Sequence, residues 1–509
     1  VTSTKPAESF TDEVAKSATP IGVYRIAVAI ALTLSGLLLA LSALFSLFEG
    51  EGGDAVAMAL IGAPCAGLGI VNLRRPFATA ALRPVSTMSA AVLAFVVVAA
   101  VSTVVYLLTG TLDRIDDALY ESVAGVSTSA LTIFDDPGTV GDGVLVWRAG
   151  TQWLGGLGAL ALAVGLLPFL GGSRELAGGP QRERRTTAAL ATRPIVALKR
   201  VWVIYCVVTA TVAAALLIAG MGVHDGVAHA LSTVSTGGFS THADSIGHFD
   251  SLAIELVLIV AMLGAGSSIA FAWLIWRRAF GDTRRAFELQ MYLAAVVLST
   301  FWIWWLRRDD VGLGVSQGFR EALFTVVSIS TTTGHRIAEW GSWHPGASTL
   351  LLVLLVIGGT AGSVSGGLRW IRVLGLAQFV WRELQRQLHP RSVRSVKVGR
   401  SLISEASVDR MHAQVVYVMT LGGVASVIFA LFCEGITEAI TLTISAISTA
   451  GPGFDDVGGI SNAAELSRPE RGVLMPVMLT GRVFLYPAVL AMGAGVSAVS
   501  RALRPTGVR

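Results

Sequence analysis

Four short runs of hydroxyl and small residues carry the chemistry that can be read from this sequence. They are Ser127-Thr128-Ser129-Ala130, Ser235-Thr236-Gly237-Gly238, Thr331-Thr332-Thr333-Gly334 and Ser448-Thr449-Ala450-Gly451. A hydroxyl run closed by glycine is an ordinary loop when it occurs once. Here four such runs occur, three of them closed by glycine, each after a short apolar helix-like segment and between two long hydrophobic spans. The spacing of roughly a hundred residues calls for an internal-repeat architecture. Four re-entrant loops meeting on one axis, with backbone carbonyls turned inward, could replace the hydration shell of a cation. Glycine at the end of a run permits positive φ, so that successive carbonyls can face one way. A residue with a side chain there costs roughly 1–2 kcal/mol.

The elements that must position these runs follow from composition and hydropathy. Hydrophobic residues make up 53% of 509 positions and charged residues 14%, and mean hydropathy is +0.67. That is far from a soluble globular mix and indicates a polytopic membrane protein. Spans able to cross about 30 Å of hydrocarbon lie near 22–48, 54–72, 87–108, 144–170, 199–220, 250–276, 288–306, 346–370, 411–433 and 470–500. The first two form a preface, and the other eight pair around the four runs. The expected fold is all-α: two leading transmembrane helices, then four helix–pore loop–helix repeats in a pseudo-fourfold arrangement around one pore. The divisions fall at 1–86, 87–172, 173–287, 288–410 and 411–509. Residues 1–20 are polar with no cleavable signal pattern.

Lys and Arg cluster between the units, at Arg74, Arg75 and Arg83, then from Arg174, Arg182, Arg184, Arg185 and Arg193 to Lys199 and Arg200. The bias continues at Arg277, Arg278, Arg284 and Arg285, and at Arg382, Arg386, Arg391, Arg394, Lys397 and Arg400. By the positive-inside rule these connections and both termini are cytoplasmic, and the runs open outward. Arg307 and Arg308 break the bias, beside Asp309 and Asp310. The outer segments hold Asp113, Asp116, Asp117, Glu121, Asp135, Asp136, Asp244, Asp250, Glu339, Glu434, Glu438, Asp455 and Asp456. They read either as ordinary solvated loops or as an acidic vestibule that concentrates cations. Asp116 and Asp117 are placed to cap the helix before the first run and to complement its dipole.

Cys65, Cys206 and Cys433 are far apart in or beside apolar spans and read as buried small hydrophobes. His224, His242, His248 and His344 lack metal-ligand spacing. A net charge of +4 points to no nucleic-acid partner. The apolar spans hold few ionisable residues besides Arg482 and no HExxH, GxSxG or paired aspartates, which argues against an intramembrane enzyme. A membrane scaffold or receptor would not require four such runs.

Two further stretches suggest gating. Residues 358–369, with Gly358, Gly359, Thr360, Ala361, Gly362, Ser363, Ser365, Gly366 and Gly367, interrupt a span so heavily that either a glycine packing face or a flexible segment is implied. Arg482 lies well inside the last span, where a charge is expensive and functional by default.

Taken together, these residues resemble the Trk/Ktr/HKT superfamily of potassium transporters, and most closely its Trk-type uptake subunit. The resemblance covers residues 20–505. Residues 147–158, Trp-Arg-Ala-Gly-Thr-Gln-Trp-Leu-Gly-Gly-Leu-Gly, look like the start of the second helix of the family's first repeat. Residues 229–246, Ser328 to Gly334, and Gly451-Pro452-Gly453 are similar to its second, third and fourth filter loops. The two leading spans favour the Trk type over the shorter Ktr type.

The resemblance implies K+ as the transported ion and a pseudo-fourfold monomer with its own pore, usually paired as a homodimer in the lipid bilayer of the cytoplasmic membrane. It also implies gating by a cytosolic nucleotide-binding regulatory subunit. No Rossmann fingerprint is visible: clusters such as Gly155-Gly156-Leu157-Gly158 lie inside apolar spans, where packing is the better reading. The regulator is therefore expected as a separate polypeptide. The family pattern makes 358–367 an intramembrane gating loop and puts Arg482 in the permeation path below the filter. The sequence departs from the pattern at Ala130, where glycine is expected. Serine at that position accompanies sodium permeation in the family, so a sodium-permeable or sodium-coupled transporter is the alternative. It departs again at His335, where an aromatic is usual: the imidazole either packs as an aromatic stand-in or titrates near neutral pH.

Overall fold

The computed structural model describes residues 20–75, 84–166, 194–268, 287–308, 314–389 (Ser342 excepted), 395–433 (Arg400 excepted), 435–451 and 463–483. Outside these lie both chain ends, Pro452 and Gly453, Asp309 and Asp310, Glu434, Asp455 and Asp456. So do the basic residues Arg83, Arg174, Arg182, Arg184, Arg185, Arg193, Arg277, Arg278, Arg284, Arg285, Arg391, Arg394 and Arg400.

Two leading helices, α1 (Pro20–Phe48) and α2 (Gly52–Arg74), form a tight antiparallel pair. Small residues make the crossing possible: a Cβ on Gly36 would lie 2.6 Å from the Ala66 nitrogen and the Gly62 carbonyl oxygen. Next come α3 (Pro84–Leu108), the short α4 (Ile115–Val126) and α5 (Asp142–Leu166). A further three helices follow in α6 (Pro194–Ile218), α7 (Val223–Val234) and α8 (Leu252–Gly266), and three more in α9 (Phe287–Leu306), α10 (Val315–Ser330) and α11 (Pro345–Ile357), each set opening on its longest helix. After α12 (Trp370–Leu388) and a small hairpin, β1 (Lys397–Val398) with β2 (Ser401–Leu402), the last set is α13 (Glu405–Phe429), α14 (Ile436–Ser448) and α15 (Arg468–Arg482). Among the described residues, six helices are long and apolar enough to span a membrane, and three shorter apolar helices accompany them.

Large apolar side chains face outward along these helices, such as Val203, Val297 and Val427. Hydrocarbon, not water, is the solvent there, so outward-facing valine costs nothing. The short helices are the buried ones. Ala118, Tyr120 and Ala124 of α4 and Ala322, Phe324 and Val326 of α10 are fully enclosed.

Two sequence expectations are corrected. The cysteines are not buried: Cys206 is exposed and Cys65 and Cys433 are half-buried free thiols, because an apolar residue in a membrane helix has no reason to avoid the outer face. Asp116 and Asp117 do not cap α4. Arg114 occupies the cap without a side-chain bond, and the two acids lie in the first turn, where they pair with Arg114 and Arg471. Besides Arg482, the interior holds Glu121, Arg148, Glu255, Glu288, Arg307 and Arg369. The expected span 346–370 is interrupted, with helix ending at Ile357 and resuming at Trp370, as its glycine content suggested.

Candidate ion-conduction site

The four short helices end in the same way. At the end of α4, Thr128 N–H donates to the Gly125 carbonyl and Ser129 N–H to that of Ala124, both at 2.9 Å. The corresponding bonds end α7 (Thr236 to Thr233, Gly237 to Ser232), α10 (Thr332 to Ile329, Thr333 to Ser328) and α14 (Thr449 to Ala446, Ala450 to Ser445). This is the Schellman pattern, which requires one left-handed residue just past the helix. Glycine usually fills that place. Here it is threonine each time, at φ +56°, +54°, +58° and +53° for Thr128, Thr236, Thr332 and Thr449. A β-branched residue held there costs roughly 1–2 kcal/mol, and strain of this kind collects at functional sites. The hydroxyls of Thr128 and Thr449 are buried without a protein partner among the described residues, which leaves them able to face an ion or water.

Two residues further on, the runs meet. A Cβ on Gly451 would lie 2.6 Å from the backbone nitrogen and Cα of Ala130, and one on Gly238 would collide with the Thr333 carbonyl and lie 3.1 Å from the Ala130 methyl. All four runs therefore touch at Ala130, Gly238, Thr333 and Gly451. Gly238, Gly334 and Gly451 have φ of +80°, +88° and +99°. Ala130, at the matching position, stays out of the left-handed region. The first run thus leaves its helix with a backbone direction unlike the other three.

The ring is held from behind. The Gln152 amide donates to the carbonyls of Gly237 (2.9 Å) and Ser129 (3.4 Å) and accepts from Phe239 N–H at 3.1 Å, tying the first two runs together. Those two carbonyls are thereby engaged from outside the ring. Arg148 and Glu121, 2.6 Å apart and almost wholly enclosed, form the second tie. Glu121 accepts from the Thr132 hydroxyl and from Ile133 N–H at 3.0 Å each, while Arg148 donates to the Ser240 carbonyl at 2.9 Å and lies 3.7 Å from the Phe239 ring centroid. One charge-assisted pair thus fixes the chain leaving both runs. Glu121 does not belong to an open vestibule: its burial beside Arg148 makes it a structural anion.

Further ion pairs fasten the short helices to their neighbours. Arg307 meets Glu321 at 2.9 Å, Arg471 meets Asp117 at 2.6 Å, and Arg320 bridges Glu255 (2.5 Å) and Asp250 (3.0 Å). His335 is enclosed, with Nε2 2.9 Å from the Thr233 hydroxyl and its ring 5.8 Å from that of His229. It packs as an aromatic stand-in. At the outer surface, the Arg114 guanidinium beside Asp116 holds that carboxyl below the usual carboxylate range. Partial burial pushes His242 down, against the pull of Asp225 at 3.4 Å. Among the described residues no cluster of three or more His, Cys, Asp or Glu side chains is placed to hold a metal ion.

On the other side of the ring lies the segment between α11 and α12. Its ends are bound together, with Leu368 N–H donating to the Val356 carbonyl at 2.9 Å and Arg369 N–H to that of Ile357 at 2.6 Å. Gly358 and Gly367, at φ +69° and +76°, let the chain leave and return at one point. The loop between them packs on the runs: Gly366 N–H donates to the Thr332 hydroxyl at 2.8 Å, and a Cβ on Gly366 would collide with the Ser448 carbonyl. Arg482 donates to the Val364 carbonyl at 2.8 Å and to that of Ser235 at 3.3 Å, joining the loop to the second run. Thr360 and Val364 donate to the carbonyls of Gly266 and Ala265 at 2.9 and 3.2 Å, and the Ser363 and Ser365 hydroxyls stand 2.7 Å apart.

All four expected runs thus come together as far as residue 451, with Gly358, Gly359, Thr360, Ala361, Gly362, Ser363, Ser365, Gly366, Gly367 and Arg482 beneath them. The polar residues behind the ring, Glu121, Arg148, Gln152 and Glu255, were missed as site residues. For Arg148, Gln152 and Glu255, a charge or amide inside an apolar span was the available signal.

Short helices that end inside a hydrophobic body and present backbone to one another define a polytopic membrane transport protein. A family model for TrkH, cation transport protein, matches residues 83–494. The Trk system potassium uptake protein TrkH of Halomonas elongata is 33% identical over 389 residues, covering 74% of this chain and 78% of that protein. TrkH of Escherichia coli (strain K12) is 30% identical over 389 residues, covering 73% and 77%. The crystal structure of the potassium transporter TrkH from Vibrio parahaemolyticus aligns with a TM-score of 0.79 at 27% identity, over 96% of this chain and 99% of that one. The chain belongs to the TrkH family of cation transport proteins.

Proposed function

We propose that this chain takes up K+ across the cytoplasmic membrane, passing the dehydrated ion down its electrochemical gradient through a four-loop filter. The observation that carries this reading is the set of four identical left-handed threonine terminations whose runs meet at Ala130, Gly238, Thr333 and Gly451. Backbone carbonyls of 127–131, 235–239, 331–335 and 448–452 replace the hydration shell. Each short helix points its partially negative end at the same place, which favours a cation over an anion. The loop 358–367 and Arg482 form the gate beneath, one as a plug and the other as a fixed positive charge that resident cations must pass.

In this reading residues 87–172, 173–287, 288–410 and 411–509 are four repeats around one pore, preceded by 1–86. The Lys/Arg bias puts both termini and the inter-repeat connections in the cytoplasm. Membership of a transporter family supports a homodimer in the bilayer, with a separate cytosolic nucleotide-binding subunit acting on the gate. No catalytic step is assigned to the chain. A second reading, sodium permeation, is supported by Ala130, whose backbone departs from the other three runs.

The test is K+ efflux from proteoliposomes containing the full chain, alone and with its regulator, beside Gly238→Ala and Gly451→Ala. Either methyl would collide with the neighbouring run in a left-handed conformation, so K+ flux should be lost in both. Undiminished flux would place the pathway elsewhere.

A further inference from the structure

The loop beneath the ring has one anchor that none of the preceding reading uses. Glu288, the second residue of α9, is 8% exposed. Its Oε1 accepts from Ala361 N–H at 2.7 Å and from Ile371 N–H at 3.1 Å. These two donors belong to different parts of the chain: Ala361 lies within the interruption, Ile371 in the first turn of α12. The first-turn amides of a helix have no partner within it, and a carboxylate there also meets the positive end of the helix dipole. One oxygen atom therefore satisfies α12 and grips the loop at the same time.

We propose that Glu288 is the latch of this loop, a positioning residue that holds the loop and the start of α12 together at the foot of α9 and so keeps the pore shut. The inference rests on the reading of 358–367 as a gate. The loop's attachments to the Thr332 hydroxyl and to the Ala265 and Gly266 carbonyls are neutral hydrogen bonds, and the Arg482 guanidinium donates to the Val364 carbonyl. Glu288 differs in holding two backbone donors, one in the loop and one in α12, on a single side-chain oxygen.

The latch is reachable from the hairpin that follows α12. Phe287, the residue before Glu288, packs with Ala361, Ile371, Val396, Val398 and Ile403 in one small apolar cluster. Gly399, at φ +59°, lies so close that a Cβ would stand 2.7 Å from that of Phe287. The residue beside the latch and both residues it holds thus share one body with the hairpin. A force on the hairpin reaches Glu288 without passing through the filter runs.

The test uses the full-length chain in proteoliposomes without regulator, comparing native protein, Glu288→Gln, Glu288→Ala and a variant lacking 360–365. Each is measured for K+ flux and for the K+/Na+ ratio. The rate at which a cytosolic-side thiol reagent modifies Ala361→Cys is measured in parallel, with Cys65, Cys206 and Cys433 replaced. Losing both bonds should raise the Glu288→Ala flux about tenfold or more, with faster modification and an unchanged ion ratio. Glu288→Gln, which keeps an acceptor of the same reach, should fall between. Flux and modification equal to native would overturn the latch, as would a flux rise accompanied by collapse of the ion ratio. Should Glu288→Ala fail to reconstitute, Glu288→Gln decides by the same criteria. Faster flux on excision with no effect at Glu288 would remove the latch and leave the gate. Unchanged flux on excision would remove the gate itself.

Discussion

Removing Arg148 should damage both the stability of the chain and its ion discrimination. The guanidinium is almost fully enclosed, 2.6 Å from Glu121, bonded to the Ser240 carbonyl at 2.9 Å and lying against the Phe239 ring at 3.7 Å. Arg148→Met keeps much of the volume but leaves the Glu121 carboxylate buried with only the Thr132 hydroxyl and Ile133 N–H to hold it. Breaking one side of such a pair costs about 3–5 kcal/mol, chiefly the penalty of the stranded charge. Glu121→Leu strands the arginine and should cost a similar amount. The double variant strands neither charge. Its loss should fall well short of the sum of the two single losses, with a coupling of about 2–3 kcal/mol in the cycle. Equilibrium unfolding of the purified chain in detergent measures the stability part. The ion part differs: the double variant recovers stability but not the tie between the exits of the first two runs, so its K+/Na+ flux ratio should stay low. Additive losses, or a fully restored ratio in the double variant, would refute this account of the pair.

Two further outcomes follow. Thr332→Val keeps the β-branched shape but removes the acceptor for Gly366 N–H at 2.8 Å. It should weaken the closed gate by about 1 kcal/mol, or about fivefold in resting flux, read without regulator. Burial pushes His242 below its ordinary value of 6.5, so the unfolded outer segment binds the proton more readily than the folded one. Stability from this residue is therefore complete above the unfolded value and falls as pH drops through about 6.5 towards the depressed folded value. Amide exchange of 241–249, compared at neutral and mildly acidic pH, should show protection lost in acid, and His242→Phe should abolish that dependence.

Much of the site was legible because it is made of backbone, and backbone demands show in residue type. A left-handed position favours glycine, so Gly238, Gly334 and Gly451 marked their runs, and the density of glycine at 358–367 marked a broken helix. The left-handed threonines were not legible. Nothing in Thr128 or Thr332 distinguishes them from neighbouring hydroxyl residues until the helix is seen to end two residues before. The ion pairs behind the ring were missed for another reason. Glu121 lies among acids that belong to outer loops, and only its meeting with Arg148 across two helices separates a structural anion from a solvated one. Glu288 opens a span next to a basic stretch and reads as ordinary interfacial polarity until its two backbone donors are seen. The cysteines were misjudged because burial was inferred from apolarity, an inference that fails wherever hydrocarbon is the solvent.

The central claim is that the four runs select K+ with their carbonyls, three in a left-handed backbone and one, at Ala130, outside it. Its most direct test is the reversal potential under bi-ionic K+/Na+ conditions for the native chain and Ala130→Gly. The account predicts K+ preference in the native chain, sharpened once glycine lets the first run adopt the backbone of the other three. Equal permeability to Na+ and K+ in both proteins would contradict it.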